Sequence, residues 1–167
     1  NKTYEKNVLN VFSKLVEQGI VYRKLKPVHW SIANQTALAD AELEYYDKID
    51  TSVYVKFECS NSTALTQTLN LNITKPLHLL IWTTTPWTLP ANLAVAVHKD
   101  FEYSIVQSGS QYLIVASNLI NTIATQTKQD LTPLATLKGS DLVGASYNHP
   151  FMQQTGPIIH ADFVNLE

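Results

Sequence analysis

Four threonines, two tryptophans, two prolines and an asparagine are packed into the eleven residues Trp82-Thr83-Thr84-Thr85-Pro86-Trp87-Thr88-Leu89-Pro90-Ala91-Asn92. Pro86 and Pro90 remove backbone donors and fix φ, so the segment is stiff and irregular, and it presents hydroxyls and a carboxamide. Hydroxyls on a rigid loop beside tryptophans suit the fixing of a polar substrate and an ordered water against an apolar wall. Threonine is a weak nucleophile without an adjacent base, and no Ser/His/Asp or Cys/His signature accompanies these residues. The chemistry the segment could support is therefore the orientation or activation of water, not formation of an acyl-enzyme. A second reading stays open, in which the hydroxyls only satisfy the backbone of a turn.

The elements that must position this segment follow from periodicity. Tyr4, Val8, Val11, Phe12, Leu15 and Val16 recur at helical spacing, which predicts an amphipathic helix over 4–18, with Thr3 as N-cap and Gly19 ending it. Alternation then predicts strands over 40–45 and 53–59. The apolar run Leu77 to Trp82 reads as a fully buried strand that delivers Thr83 to Asn92 as a loop, because a Thr-Pro segment cannot continue a ladder. Leu93 to Val97 is apolar throughout. Phe101 to Val106 and Gln111 to Ala116 flank Ser108-Gly109-Ser110 as a hairpin. Ser117 is placed to cap a short helix carrying Leu119, Ile120, Ile123 and Ala124, and a weaker helix is expected over 131–138. The tail holds Asp141 to Ser146, an Asn148-His149-Pro150 corner and a last strand Ile158 to Val164. Strands outnumber helices, so a closed or nearly closed β-structure with a few external helices is expected.

Composition narrows the partners. Twelve Lys and Arg against fourteen Asp and Glu give a net charge of −2, so no global basic field holds nucleic acid, and any RNA contact must be local. No apolar run approaches the ~18 residues of a membrane span. Cys59 is the single cysteine, which excludes an internal disulfide and a multi-cysteine zinc site. The five histidines, His29, His78, His98, His149 and His160, lack metal-ligand spacing, so no metal is expected. The chain opens without Met and stops at Asn165-Leu166-Glu167 without a turn or cap, and is expected to be a piece of a longer protein.

Other residues carry weaker signals. Tyr22-Arg23-Lys24-Leu25-Lys26 could contact phosphates or simply be a solvated strand edge. Trp30 and Trp87 could stack on an exposed base, and core packing is the competing role for Trp30. The histidines and Asp162 read as structural or outward-facing polar residues. Four N-x-[ST] triplets begin at Asn1, Asn34, Asn61 and Asn72. They keep open a second function class, a secreted, glycosylated β-module that binds without catalysing.

The segment Trp82 to Asn92 resembles the threonine-rich signature of the editing domain inserted into isoleucyl-tRNA synthetases. The related valyl and leucyl enzymes share only the first threonines. Leu25 to Ser31 is similar to the entry of that insertion, where the family usually has Tyr at the position of His29. Thr36 to Tyr45, His149-Pro150-Phe151 and Gly156 to Val164 are similar to later segments, so the resemblance covers nearly the whole chain.

The resemblance implies an α+β, mostly β, barrel-like editing domain of the valyl/isoleucyl/leucyl type, with residues 1–24 as junction and 25–167 as editing domain. It implies hydrolysis of valine esterified to the isoleucine tRNA, and also of valyl adenylate. The isoleucyl enzymes are themselves the standard example of the logic: a synthetic pocket cannot reject a side chain one methylene smaller strongly enough, so a second site removes it. By the same resemblance Thr83, Thr84, Thr85 and Asn92 are catalytic, while Trp82, Thr88 and Trp87 bind substrate. No metal or cofactor is implied in this domain. The partners are the tRNA 3′ end and the remainder of the synthetase, in a monomer in the cytoplasm or the mitochondrial matrix. The family's Gly-Thr-Gly segment and the His and Asp that recognise the substrate's amino group are expected beyond Glu167.

Overall fold

The computed structural model describes residues 1–60 and 62–166, and the chain divides into two compact units, Asn1–Lys48 and Ile49–Glu167. In the first unit, α1 spans Lys2–Glu17. Asn1, not Thr3, is its N-cap: the Asn1 side-chain oxygen accepts the Thr3 N–H at 3.1 Å, and that N–H is itself one of the orphan donors of the first turn. Gly19, at φ 72°, follows Gln18 in the left-handed conformation that closes a helix C-terminus. A short antiparallel pair, β1 (Trp30–Ser31) and β2 (Thr36–Ala37), comes next. The strand expected over 40–45 is absent. The Glu42 carboxylate accepts the Ala39 N–H at 2.7 Å and curls Asp40–Glu42 into a 3-10 turn, and the alternating Ala41 and Tyr45 stay exposed.

The second unit is built on one eight-stranded mixed sheet. Its strands are β3 (Val53–Cys59), β4 (Leu77–Thr83), β5 (Val95–Val97), β6 (Glu102–Ser108), β7 (Gln111–Ala116), β8 (Thr132–Lys138), β9 (Ser146–Asn148) and β10 (Thr155–His160). They lie in the order β5-β10-β9-β3-β4-β7-β6-β8. The pairs β10·β5 and β4·β7 are parallel and the remainder antiparallel. The expected closure does not occur: among the described residues β5 and β8 are free edges. Neither offers a ladder to the other, since β5 has three residues and β8 carries Pro133 opposite a bulge at Ile105/Val106.

That same Pro133 explains why residues 131–138 form a strand and not the expected helix, since edge positions tolerate the missing donor. The predicted hairpin is β6–β7. After it comes a 3-10 turn, Ser117–Leu119, and then α3 (Ile120–Thr127). Ser117 does not cap them, because its hydroxyl is 2.8 Å from that of Ser104. The last strand begins at Thr155, three residues before the expected Ile158, and ends at His160.

Both sheet faces are covered, which explains the near-continuous apolar runs. One face carries Phe57, Leu77, Leu79, Ile105, Ile114, Tyr147 and Ile158, with α2 (Ser62–Thr68) and its flanking leucines against it. The other carries Val106, Leu113 and Val115 beneath Ile123 of α3. Burying each such side chain contributes roughly 1.5–3 kcal/mol. A final one-turn helix, α4 (Gly139–Leu142), tucks the fully buried Leu142 under the first face.

Candidate functional site

β4 decides what the threonine segment can reach. Along a strand successive side chains alternate faces, so Leu77, Leu79, Ile81 and Thr83 share one face while His78, Leu80 and Trp82 share the other. Antiparallel β3 pairs β4 from Glu58↔His78 to Val53↔Thr83. Parallel β7 pairs only Leu77 to Leu79. The C-terminal half of β4 therefore has a ladder on one side only, and there the chain leaves the sheet.

The segment that follows folds on its own hydroxyls. The Thr85 N–H donates to Thr83 Oγ1 at 3.0 Å, and the Thr83 and Thr85 hydroxyls lie 3.2 Å apart. Pro86 opens a 3-10 turn over Pro86–Ala91, at the first position, where a missing N–H costs nothing. Thr88 closes it, its hydroxyl donating to the Thr85 carbonyl at 2.8 Å. Three of the four hydroxyls are thus engaged within the loop. Thr84, half-buried between two of them, makes no hydrogen bond through its hydroxyl among the described residues.

Asn92 fastens the far end. Its Nδ2 donates to the Ala94 carbonyl at 3.0 Å, and its Oδ1 accepts from the Tyr147 hydroxyl. The Asn92 carbonyl accepts from Gln154 Nε2 at 3.2 Å. His149 holds the turn from beneath. Its Nδ1 accepts the N–H groups of Phe151 and Met152, which leaves the proton on Nε2 to donate to the Leu89 carbonyl at 2.8 Å. Both nitrogens are occupied, so this buried histidine is a strut and not an acid–base group.

Of the residues singled out in the sequence, Thr83, Thr84, Thr85, Thr88 and Asn92 lie on one continuous loop with Trp87, whose side chain is 70% exposed. Trp82 is separated from them. It projects from the opposite face of β4, where it lines a cavity with Tyr54, Leu80 and Ile123. Tyr147, His149 and Gln154 were not legible as site residues, because nothing in local spacing ties them to a loop some 60 residues earlier. The one sequence signal was the Asn148-His149-Pro150 corner.

The remaining candidates are dispersed. His29 lies in the first unit, His98 stacks on Phe101 at 4.1 Å, and His160 Nε2 is 2.9 Å from Asp162. Burial pushes the Cys59 thiol up to about 12. Among the described residues no three His, Cys, Asp or Glu side chains converge as metal ligands, and no helix is long and apolar enough to cross a membrane. The acceptor asparagines Asn1, Asn34 and Asn72 are exposed, and Asn61 lies outside the described residues.

Comparison with known proteins bears on the family and the sheet. The chain is 43% identical over 166 residues to the isoleucine–tRNA ligase of Thermotoga neapolitana, and 40% identical over 165 residues to that of Acaryochloris marina. Each alignment covers 98% of this chain and 17% of the relative, so the chain spans about one sixth of these enzymes' length. The fold is that of leucyl-tRNA synthetase editing domains. The GlLeuRS-CP1 crystal structure superposes with a TM-score of 0.58 at 17% identity, over 69% of this chain and 50% of that one. The P. knowlesi cytosolic leucyl-tRNA synthetase editing domain gives 0.57 at 15% identity, over 68% of this chain and 54% of that one. Residues 1–139 match the tRNA synthetases class I (I, L, M and V), and the chain belongs to that family.

Proposed function

We propose that this chain carries the editing activity of an isoleucine–tRNA ligase, hydrolysing valine wrongly esterified to the isoleucine tRNA, and valyl adenylate as a second substrate. One observation carries the reading: among the described residues the Thr84 hydroxyl stands uncommitted between neighbours whose hydroxyls are used to build the loop. Water attacks the ester carbonyl, the tetrahedral intermediate collapses, and the 3′-terminal ribose leaves as its alcohol with a proton from the attacking water. In this scheme Thr84 orients that water or the terminal ribose, while Thr83 and Thr85 fix its place. Trp87 supplies the apolar wall and Thr88 supports the turn. Asn92, with both ends of its carboxamide engaged, acts by positioning the loop.

The reading also assigns residues 1–24 to the junction with the remainder of the synthetase and 25–167 to the editing unit. It places the protein in the cytoplasm as a monomer acting on the tRNA 3′ end, without metal or cofactor in this domain. The test is deacylation of valyl-tRNA(Ile) by the full-length protein and its Thr84→Ala variant. Loss of hydrolysis with aminoacylation intact supports the assignment. Binding of the charged 3′ end without hydrolysis by the parent protein would reduce the domain to a binding module.

A further inference from the structure

The turn between β9 and β10, residues 149–154, is remote in sequence from the threonine segment, yet both of its closing residues reach into that segment. The His149 N–H donates to the Gln154 carbonyl at 2.9 Å, which makes these two residues the last rung of the β9–β10 hairpin. Each also sends a side-chain donor to the loop. His149 Nε2 donates to the Leu89 carbonyl at 2.8 Å, and Gln154 Nε2 donates to the Asn92 carbonyl at 3.2 Å. The Leu89 carbonyl accepts the Asn92 N–H as well, at 2.9 Å, so the two accepting carbonyls belong to one closed turn.

Two points of attachment fix orientation as well as place, where a single bond would leave a pivot. At its other end the segment leaves β4, whose last residue, Thr83, pairs with Val53. Thr84 therefore stands in a short span between the sheet and this clamp. Pro86 fixes φ within the span, so a shift at Leu89 is passed along the turn and not absorbed by it. The Thr85 carbonyl accepts both the N–H and the hydroxyl of Thr88, which ties the turn to the residue next to Thr84. A displacement of about 1 Å in a reacting geometry lowers a rate on the order of a hundredfold.

The two nitrogens of His149 do separable work. Nδ1 accepts the Phe151 and Met152 N–H groups at 3.3 and 3.1 Å and shapes the turn, while Nε2 holds the loop. An asparagine can place its Oδ1 where Nδ1 stands and cap the turn ahead of Pro150, but its amide is too short to reach Leu89. A glutamine can carry an amide N–H to the position of Nε2 and leaves the turn without the Nδ1 acceptor.

We propose that His149 and Gln154 are positioning residues for editing, which together hold the threonine loop in the geometry in which Thr84 acts, His149 through Nε2 and not through its part in the turn. The inference rests on the editing reading above. Neither residue is catalytic, because both act through backbone carbonyls of the loop.

The experiment compares the full-length protein with its His149→Asn, His149→Gln and Gln154→Ala variants and the double variant His149→Asn/Gln154→Ala. It reads kcat and KM for deacylation of valyl-tRNA(Ile), together with amide hydrogen exchange followed by mass spectrometry. Both His149 variants lose the ring's contacts with Phe57 and Phe151, so the comparison between them isolates the bonds. His149→Asn should lower kcat about tenfold or more with KM within about twofold of the parent, and should speed exchange over residues 85–92 but not over 149–155. His149→Gln should keep kcat within about threefold while exchange over 149–155 quickens, so the two variants rank oppositely in turn protection and in rate. Gln154→Ala should lower kcat in the same sense. The double variant should fall by less than the product of the single falls, since losing either attachment already leaves a pivot. Unchanged exchange across β3 and β4 shows that the sheet is intact. Parental kcat in His149→Asn, an equal fall in His149→Asn and His149→Gln, or a change in KM alone overturns the proposal. If the parent protein hydrolyses no valyl ester, the editing reading fails, and the exchange comparison decides the clamp. Faster exchange over 85–92 in His149→Asn than in His149→Gln then sustains it, and equal exchange overturns it.

Discussion

The Tyr147 hydroxyl donates to the Asn92 carboxamide oxygen, joining the end of the threonine loop to the core across 55 residues of sequence. Tyr147 is fully buried and stacks on Phe57 with ring centroids 5.0 Å apart, so the loop is referenced to the most rigid part of the sheet. A loop held this way keeps its hydroxyls in place without help from a ligand.

Removing the anchor should therefore cost stability before it costs chemistry. Asn92→Ala deletes both carboxamide bonds and leaves the Tyr147 hydroxyl buried without its acceptor, a loss of about 1–3 kcal/mol. Tyr147→Phe leaves the ring stacking in place and should lose less. Urea unfolding of both variants, at unchanged denaturant sensitivity, checks the order.

Gly156 should tolerate no side chain. It pairs with Tyr147 across β9 and β10, and a Cβ there would lie 2.3 Å from the tyrosine oxygen. The obstacle is the buried ring itself, which cannot swing aside without breaking the Asn92 anchor. Gly156→Ala is expected to destabilise by about 1–3 kcal/mol, and Tyr147→Ala in the same background should recover part of the clash term, giving a non-additive double-mutant cycle.

Stability should fall on the alkaline side. Burial raises the Cys59 thiol from 9.0 to about 12, so the unfolded chain loses this proton first as pH rises. The contribution is complete below pH 9.0 and disappears as pH climbs to about 12. Burial raises the Tyr147 hydroxyl as well, from 10.0, and acts in the same sense. Cys59→Ala should shift the whole curve down at neutral pH but flatten its alkaline slope, measured by thermal unfolding across that range. In the native protein the same thiol should resist alkylation at pH 8 and react once urea unfolds the chain.

Much of this arrangement is written locally. The spacing around Phe101 to Ala116 yields the hairpin, and Pro86 and Pro90 mark the loop, because turn chemistry and alternation act over a few residues. What local pattern cannot carry is partnership. Ala41, Leu43 and Tyr45 alternate as a strand would, yet the Glu42 carboxylate bonding to Ala39 wins because no neighbouring strand is there to pair them. Residues 131–138, expected as a helix, supply strand β8 instead because β6 offers an edge to join. Sheet closure likewise depends on which strands meet last, and Pro133 and the three-residue β5 prevent it.

Within the candidate site, the threonines were legible and their division of labour was not. Identical side chains at 83, 84 and 85 differ because the Thr85 N–H and the Thr85 hydroxyl both reach the Thr83 hydroxyl, and the Thr84 hydroxyl is outside that contact. Tyr147 gave no motif and His149 only a turn signal and a family resemblance, neither of which points to the loop, because their partners lie in a distant segment.

Thr83→Ala and Thr88→Ala should behave alike and unlike Thr84→Ala. Each of the first two removes a bond internal to the loop and should lower stability by about 0.5–1.5 kcal/mol. Thr84→Ala removes no such bond and should leave the unfolding midpoint within about 0.5 kcal/mol of the parent. Chemical denaturation of the three variants side by side makes the comparison.

The most direct measurement is the rate at which the full-length protein hydrolyses valyl-tRNA(Ile) relative to isoleucyl-tRNA(Ile), with and without Thr84→Ala. The account predicts selective hydrolysis of the valyl ester by the parent protein. It predicts a fall of about tenfold or more when the uncommitted hydroxyl is removed from an otherwise stable loop. Valyl-tRNA(Ile) hydrolysis at the parental rate by a folded Thr84→Ala variant would contradict it.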